Sequence, residues 1–122
     1  MLQNDSKLKI LIADDDYYNY LFIKILLKND FITDWAKDGE TALDMFAEKQ
    51  YDLILVDYKM SRLSGADTTR IIRKSNPSIP IIAQTAYDLK QQELLSAGCN
   101  CVLIKPIRKN ILFDALKSCL PG

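Results

Sequence analysis

The sequence predicts an α/β fold, a doubly wound parallel sheet made from five successive βα units. Three observations predict it. Short aliphatic runs that are nearly continuous, rather than alternating, recur along the chain, as expected of parallel strands covered on both faces. The stretches between them carry apolar residues at helical spacing, and right-handed crossovers turn such an alternation into one sheet with helices on both sides. The 122 residues, 48% hydrophobic and 26% charged, suit one soluble domain long enough to bury about two thirds of its unfolded surface. Residues 1–122 are therefore expected to form a single domain with its core at 8–120.

The elements follow in order. Leu8 to Ala13 is the first strand. Tyr17 to Lys28 is a helix more apolar than a surface helix normally is; Leu21, Ile25 and Leu27 are available for the core, leaving Tyr17, Tyr18, Tyr20 and Phe22 as aromatic surface. Phe31 to Ala36 is a weaker run that fits an outer strand. Asp38 and Gly39 precede a second helix whose apolar face is Ala42, Leu43, Phe46 and Ala47. Leu53 to Val56 is the third strand, and Gly65 precedes the third helix. Pro77 and Pro80 bracket the approach to a fourth strand, Ile79 to Ala83. Asp88 with Gln91 has capping-box spacing for a fourth helix. Val102 to Ile104 is the fifth strand, and Ile111, Leu112, Ala115, Leu116 and Cys119 mark the fifth helix. There is no repeat, linker or low-complexity tract.

Composition excludes several functions. Sixteen Lys and Arg balance sixteen Asp and Glu, so no net basic field exists to hold nucleic acid or an anionic membrane. There are 0 histidines, which removes a Ser-His-Asp triad, a His-ligated zinc and a histidine phosphodonor. Cys99, Cys101 and Cys119 are odd in number, as suits free thiols in a reducing compartment, and packing is the expected role for all three. Met1 to Lys9 is polar, and no apolar run reaches the 18 or so residues a membrane span requires. A cytoplasmic chain is expected.

The polar residues gather where open α/β sheets bind ligands, beyond the carboxyl ends of the strands. The first strand ends in Asp14, Asp15 and Asp16, the third in Asp57, the fourth in Thr85 and the fifth in Lys105. Carboxylates crowded in a cleft repel one another unless a cation compensates, and a hard divalent ion such as Mg²⁺ suits oxygen ligands. A lysine and a hydroxyl facing that ion complete a cage for a phosphoryl group. With no histidine, and no serine or cysteine at a strand end, the available nucleophile is a carboxylate, and Asp57 on a central strand is the best placed. Each residue also has a plainer role: Asp16 serves equally as a helix cap, Asp57 as a loop opener, Thr85 as a turn residue and Lys105 as a solvated cation. Their joint occurrence at successive strand ends favours the phosphoryl site.

At this point the chain resembles a response-regulator receiver domain from about Leu8 to Leu120. The likeness rests on Ile10-Leu-Ile-Ala-Asp-Asp-Asp16, on Asp52-Leu-Ile-Leu-Val-Asp57 followed by Tyr-Lys-Met-Ser-Arg-Leu-Ser-Gly65, on Pro80-Ile-Ile-Ala-Gln-Thr-Ala86, and on Lys105-Pro-Ile107. The resemblance implies a flavodoxin-like strand order 2-1-3-4-5. It implies that Asp57 accepts a phosphoryl group from the phosphohistidine of a histidine kinase or histidine phosphotransfer domain. It further implies that Asp15, Asp57 and the Lys59 carbonyl bind Mg²⁺, with Asp14 acting mainly through water, and that Thr85, Ala86 and Lys105 hold the phosphoryl oxygens. Such a module is not an enzyme in its own right; it switches partners, or dimerises through the fourth helix, fifth strand and fifth helix.

The chain departs from the family pattern in three places. Ser61 stands where a proline is usual, which would loosen its loop. Val102 occupies the position of the aromatic switch residue. Lys59 places a cation near the phosphoryl group, and with Tyr87 is expected to tune phosphate lifetime. Asn19, the Gly65-to-Arg73 segment and Ile-Ala-Gln-Thr-Ala86 resemble receivers of hybrid histidine kinases, and the tyrosines of the first helix lie where family partners dock, unless they are ordinary half-buried residues. Two alternatives remain: a receiver that only binds, and a haloacid-dehalogenase-type phosphatase using Asp14 and Asp16. The latter lacks an acidic pair after Lys105. A P-loop fails for want of glycines.

Overall fold

The computed structural model describes residues 7–121. Most of the polar N-terminal stretch and the last residue of the single-domain expectation lie outside them. The elements are β1 (Leu8–Ala13), α1 (Tyr17–Leu27), β2 (Phe31–Ala36), α2 (Gly39–Glu48), β3 (Leu53–Asp57), α3 (Gly65–Ser75), β4 (Ile81–Thr85), a 3-10 turn (Asp88–Lys90), α4 (Gln91–Ala97), β5 (Cys101–Ile104) and α5 (Lys109–Cys119). All strand pairs are parallel, in the order β2-β1-β3-β4-β5. Among the described residues no helix is long and apolar enough to cross a membrane.

Strand periodicity divides the aliphatic runs between two cores. Leu11, Ala13, Ile54, Val56, Ile81 and Ala83 face the side covered by α2, α3 and α4. Ile10, Ile12, Leu53, Leu55 and Ile82 face α1 and α5, which contribute Tyr20, Ile23, Leu27, Leu112 and Leu116. Every residue of β3 and β4 is buried, which explains why these runs do not alternate. Each buried Leu or Ile contributes about 1.5–3 kcal/mol relative to exposure. Cys99 lies in the first core, while Cys101 and Cys119 pack half-buried against the second, and all three are free.

Several local expectations change. β3 runs one residue further than expected and takes in Asp57. β4 begins at Ile81 rather than Ile79 and extends to Thr85: Pro80 has no N–H and meets β3 only through its carbonyl, which accepts from Ile54 N at 3.0 Å, while the Asn100 side chain accepts from Ile81 N. β5 includes Cys101. In α1 the inward residues are Tyr20, Ile23 and Leu27, whereas Ile25 is 56% exposed; the Asp16 cap sets the helix phase, and a 100° step per residue turns Ile25 outward. Asp88 and Gln91 form no capping box: Asp88 opens the 3-10 turn, and α4 starts without a side-chain cap. Gly65 is the first residue of α3, whose cap is Ser64, accepting from Asp67 N at 3.0 Å. The loop with Ser61 carries an exposed ion pair from Arg62 to Glu40 at 2.7 Å, and Gly65 N donates to Tyr58 O across its base at 2.7 Å.

A candidate phosphoacceptor site

Register brings the functional residues to one edge. Ala13 pairs with Val56, Asp57 with Gln84, and Thr85 with Ile104, so the residues following β1 and β5 flank Asp57 and Thr85. The chain turns sharply after Asp57, where Tyr58 N donates to Gln84 O and Gly65 N to Tyr58 O. A Cβ at Gly65 would stand 2.4 Å from the Asp57 carbonyl oxygen, so the turn admits only glycine.

The cleft at this edge has a volume of about 220 Å³ and is lined by Asp14, Asp15, Asp16, Asp57 and Lys105. Lys59, Thr85, Ala86 and Tyr87 complete its wall. Every expected site residue except Val102 is thus gathered here. Val102 packs half-buried against the core under α2, α3 and α4.

Asp14 and Asp57 are buried, and Asp15 is exposed. One carboxylate oxygen from each lies within 4.8 Å of the other two. Lys105 Nζ stands 2.6 Å from Asp57 Oδ1, a close ion pair that is the only polar partner of this buried oxygen among the described residues. Burial pushes the Asp57 carboxyl up to about 6; Lys105 opposes that rise, and the charges of Asp14 and Asp15 add to it. Asp14 is likewise raised by burial, against the opposing hydrogen bonds from Asn19 and from Asp16 N. Three crowded carboxylates, two of them raised and only one paired with a lysine, fit a divalent cation held by oxygen ligands.

The surroundings fix this geometry. Asp16 caps α1, its Oδ1 accepting from Tyr18 N at 2.9 Å, so its plainer role is realised at the mouth of the cleft. Asn19 Nδ2 donates to Asp14 Oδ2, and Gln84 Nε2 donates to the same oxygen at 3.3 Å. Trp35 Nε1 donates to the Asp14 carbonyl at 2.8 Å, with its ring against Tyr17 and Tyr20. Thr85 Oγ1 accepts from Tyr87 N at 3.0 Å, and Lys105 N donates to Thr85 O at 2.8 Å. Sequence reasoning missed Gln84 and Trp35 as supports of Asp14; a glutamine inside the otherwise aliphatic run Ile81-Ile-Ala-Gln84 was the available signal. The phosphatase alternative gains nothing, because Asp114, the only acid after Lys105, is exposed on α5.

Known proteins share both sequence and fold. The model of the response regulator receiver domain matches residues 10–117. The autoinducer 2 sensor kinase/phosphatase LuxQ of Vibrio harveyi is 36% identical over 115 residues, covering 91% of this chain and 13% of LuxQ. The receiver domain of the Francisella response regulator 1452 superposes with a TM-score of 0.85 at 33% identity, covering 92% of this chain and 95% of that one. The receiver domain of the Pseudomonas aeruginosa sensor histidine kinase PA1611, solved with a magnesium ion in its active-site cleft, gives 0.86 at 29% identity, with 93% and 98% covered. The chain therefore spans a small part of LuxQ and nearly all of the isolated receivers. Sequence, strand order and the placement of Asp57 lead to one assignment: this chain belongs to the response regulator receiver family.

Proposed function

We propose that this receiver is the phosphoacceptor module of a two-component phosphorelay and that Asp57 is its acceptor. One observation carries the proposal: Asp57 is buried at the end of β3, paired with Lys105 at 2.6 Å, in a cleft that also holds Asp14 and Asp15. In the transfer, an Asp57 oxygen attacks phosphorus, the N–P bond of a phosphohistidine breaks, and the imidazole leaves with the electron pair. The donor is on another domain or protein, since this chain has 0 histidines.

Lys105 then moves its pairing from the free carboxylate to the phosphoryl oxygens, and Thr85, already at the cleft, supplies a hydroxyl donor. Ala86 offers backbone beside it. Asp15, Asp57 and the Lys59 carbonyl would hold Mg²⁺, with Asp14 through water; a bound Mg²⁺ would neutralise the charge that accumulates on the transferred group. The magnesium reported for the PA1611 receiver supports that choice of ion. Lys59 and Tyr87, on the cleft wall, tune the lifetime of the aspartyl phosphate, and an unchanged dephosphorylation rate in Lys59→Ala and Tyr87→Ala would refute that role. The chain switches rather than catalyses turnover of a substrate.

Docking of the donor is assigned to the outward face of α1, where Tyr18 is 79% exposed and Phe22 and Ile25 follow at helical spacing. This face adjoins the groove formed by Asn19, Phe22, Lys105 and Pro106. Similarity to LuxQ supports the receiver of a hybrid histidine kinase, working on the cytoplasmic side. Exposed Leu95, Ile104 and Ile111 support a phosphorylation-dependent dimer through α4, β5 and α5.

Incubation with acetyl phosphate and Mg²⁺ tests the acceptor. Hydroxylamine-labile phosphate is expected on the intact chain and absent from Asp57→Asn. No label on the intact chain would leave a module that only binds, and label persisting in Asp57→Asn would put the acceptor elsewhere.

A further inference from the structure

The residue after the proposed acceptor reaches away from the cleft. Tyr58 is clamped by its backbone between β4 and the start of α3. Its ring packs against the core under α2, α3 and α4. Its hydroxyl donates to Glu93 Oε1 on α4 at 3.0 Å, and Lys90 Nζ lies 5.3 Å from the ring centre. Arg70 of α3 approaches the other Glu93 oxygen at 3.9 Å. Among the described residues, no other side chain of the 58–64 loop hydrogen-bonds to α4.

The receiving element is weakly held. α4 has seven residues, no side-chain cap and only Leu94 and Ala97 buried, and Leu89 just before it is 91% exposed. Few contacts fix the start of this helix, so losing one shifts its position. Tyr58 follows Asp57 directly in the chain, so a backbone shift that accompanies phosphorylation of the Asp57 carboxylate displaces the base of the ring. A short helix whose first turn is tied to this loop by the Tyr58 hydroxyl and to α3 by Arg70 is a two-state element that one site can bias.

We infer that Tyr58 is the positioning residue that transmits the state of Asp57 to α4, through its hydrogen bond to Glu93. The inference rests on Asp57 being the acceptor. It also gives a physical route for coupling in a chain that has Val102 instead of an aromatic residue on β5: the aromatic ring in contact with α4 comes from β3 and its loop.

The test compares the full chain with Tyr58→Phe, Glu93→Ala and Glu93→Gln, recording amide NMR spectra without and with Mg²⁺ plus beryllofluoride, a phosphoryl mimic. In the unaltered chain, shifts are expected both around Asp57, Thr85 and Lys105 and along Lys90–Ala97. Tyr58→Phe and Glu93→Ala should keep the first set and lose the second, while Glu93→Gln, which still offers an acceptor, should keep both. A purely structural role for Tyr58 would alter the free protein without abolishing the difference between states. Hydrogen exchange of α4 should rise about three- to tenfold in Tyr58→Phe, the loss of one net hydrogen bond. Shifts along α4 in Tyr58→Phe equal to those of the unaltered chain, or none there in the unaltered chain, would overturn the inference alone. No response around Asp57 in any form would overturn the acceptor assignment together with it.

Discussion

The two ends of the sheet both carry acids and both open into grooves, yet only one end is chemically unsettled. At the amino end, a groove of about 530 Å³ is bordered by Tyr51, Asp52, Asn76 and Ser78. Its polar groups are satisfied: Asp52 Oδ2 accepts from Lys9 N at 2.8 Å, and Asn76 Oδ1 accepts from Ser78 N and Ile79 N, each at 3.0 Å. At the carboxyl end the cleft is smaller, about 220 Å³, but it crowds three carboxylates against one lysine, and two of those acids are raised. Volume does not identify the site; unmet electrostatic demand does.

That contrast can be broken in four ways, taken from the largest effect. Gly65→Ala forces a methyl against the Asp57 carbonyl and should lose about 3 kcal/mol in urea unfolding; a neutral outcome would mean that the turn at the carboxyl end is soft. Mg²⁺ at 100 times its Kd should stabilise the chain by about 2.7 kcal/mol, and chelation or Asp15→Asn should remove the gain. A Tm that ignores Mg²⁺ would make the two ends equivalent.

Third, Asp57→Asn should stabilise the metal-free chain at pH 8 by about 2 kcal/mol, since the raised carboxyl costs about 3 kcal/mol when ionised and loss of the Lys105 ion pair offsets about 1. The sign follows from the raised folded-state value of about 6 against 3.8. Between those values the native state binds more protons than the unfolded one, so stability falls as pH rises, and the cost is complete above pH 6. The advantage of the amide should therefore fade on acidification and vanish below pH 4. Asp52→Asn at the other end keeps its acceptor oxygen and should change stability by less than about 0.5 kcal/mol at either pH. Smallest of all, Arg62→Ala removes an exposed ion pair to Glu40 and should leave the urea midpoint where it is.

Much of this was legible beforehand for a physical reason. Continuous aliphatic runs have few alternatives to buried parallel strands, and a polar residue ending each run must emerge at one edge, so Asp57, Thr85 and Lys105 followed from strand ends alone. Helix faces were less legible. In α1 Ile25 is more apolar than Tyr20, yet Tyr20 is buried and Ile25 exposed, because the phase of the helix depends on where Asp16 caps. The Asp88–Gln91 pair had the spacing of a cap, but the chain tightens into a 3-10 turn there. Long-range polar partners were least legible: nothing local in Tyr58 or Gln84 indicates Glu93 or Asp14, which lie 35 and 70 residues away.

Trp35 gives the acidic cluster an optical consequence. It is the only tryptophan, and its indole N–H points at the carbonyl of Asp14 from 2.8 Å. Indole emission responds to the local electric field, so a cation drawn to Asp14 and Asp15 acts on the chromophore through one hydrogen bond. The chain thus carries its own unlabelled reporter, positioned on β2 to follow the charge state of a cleft that it does not itself line.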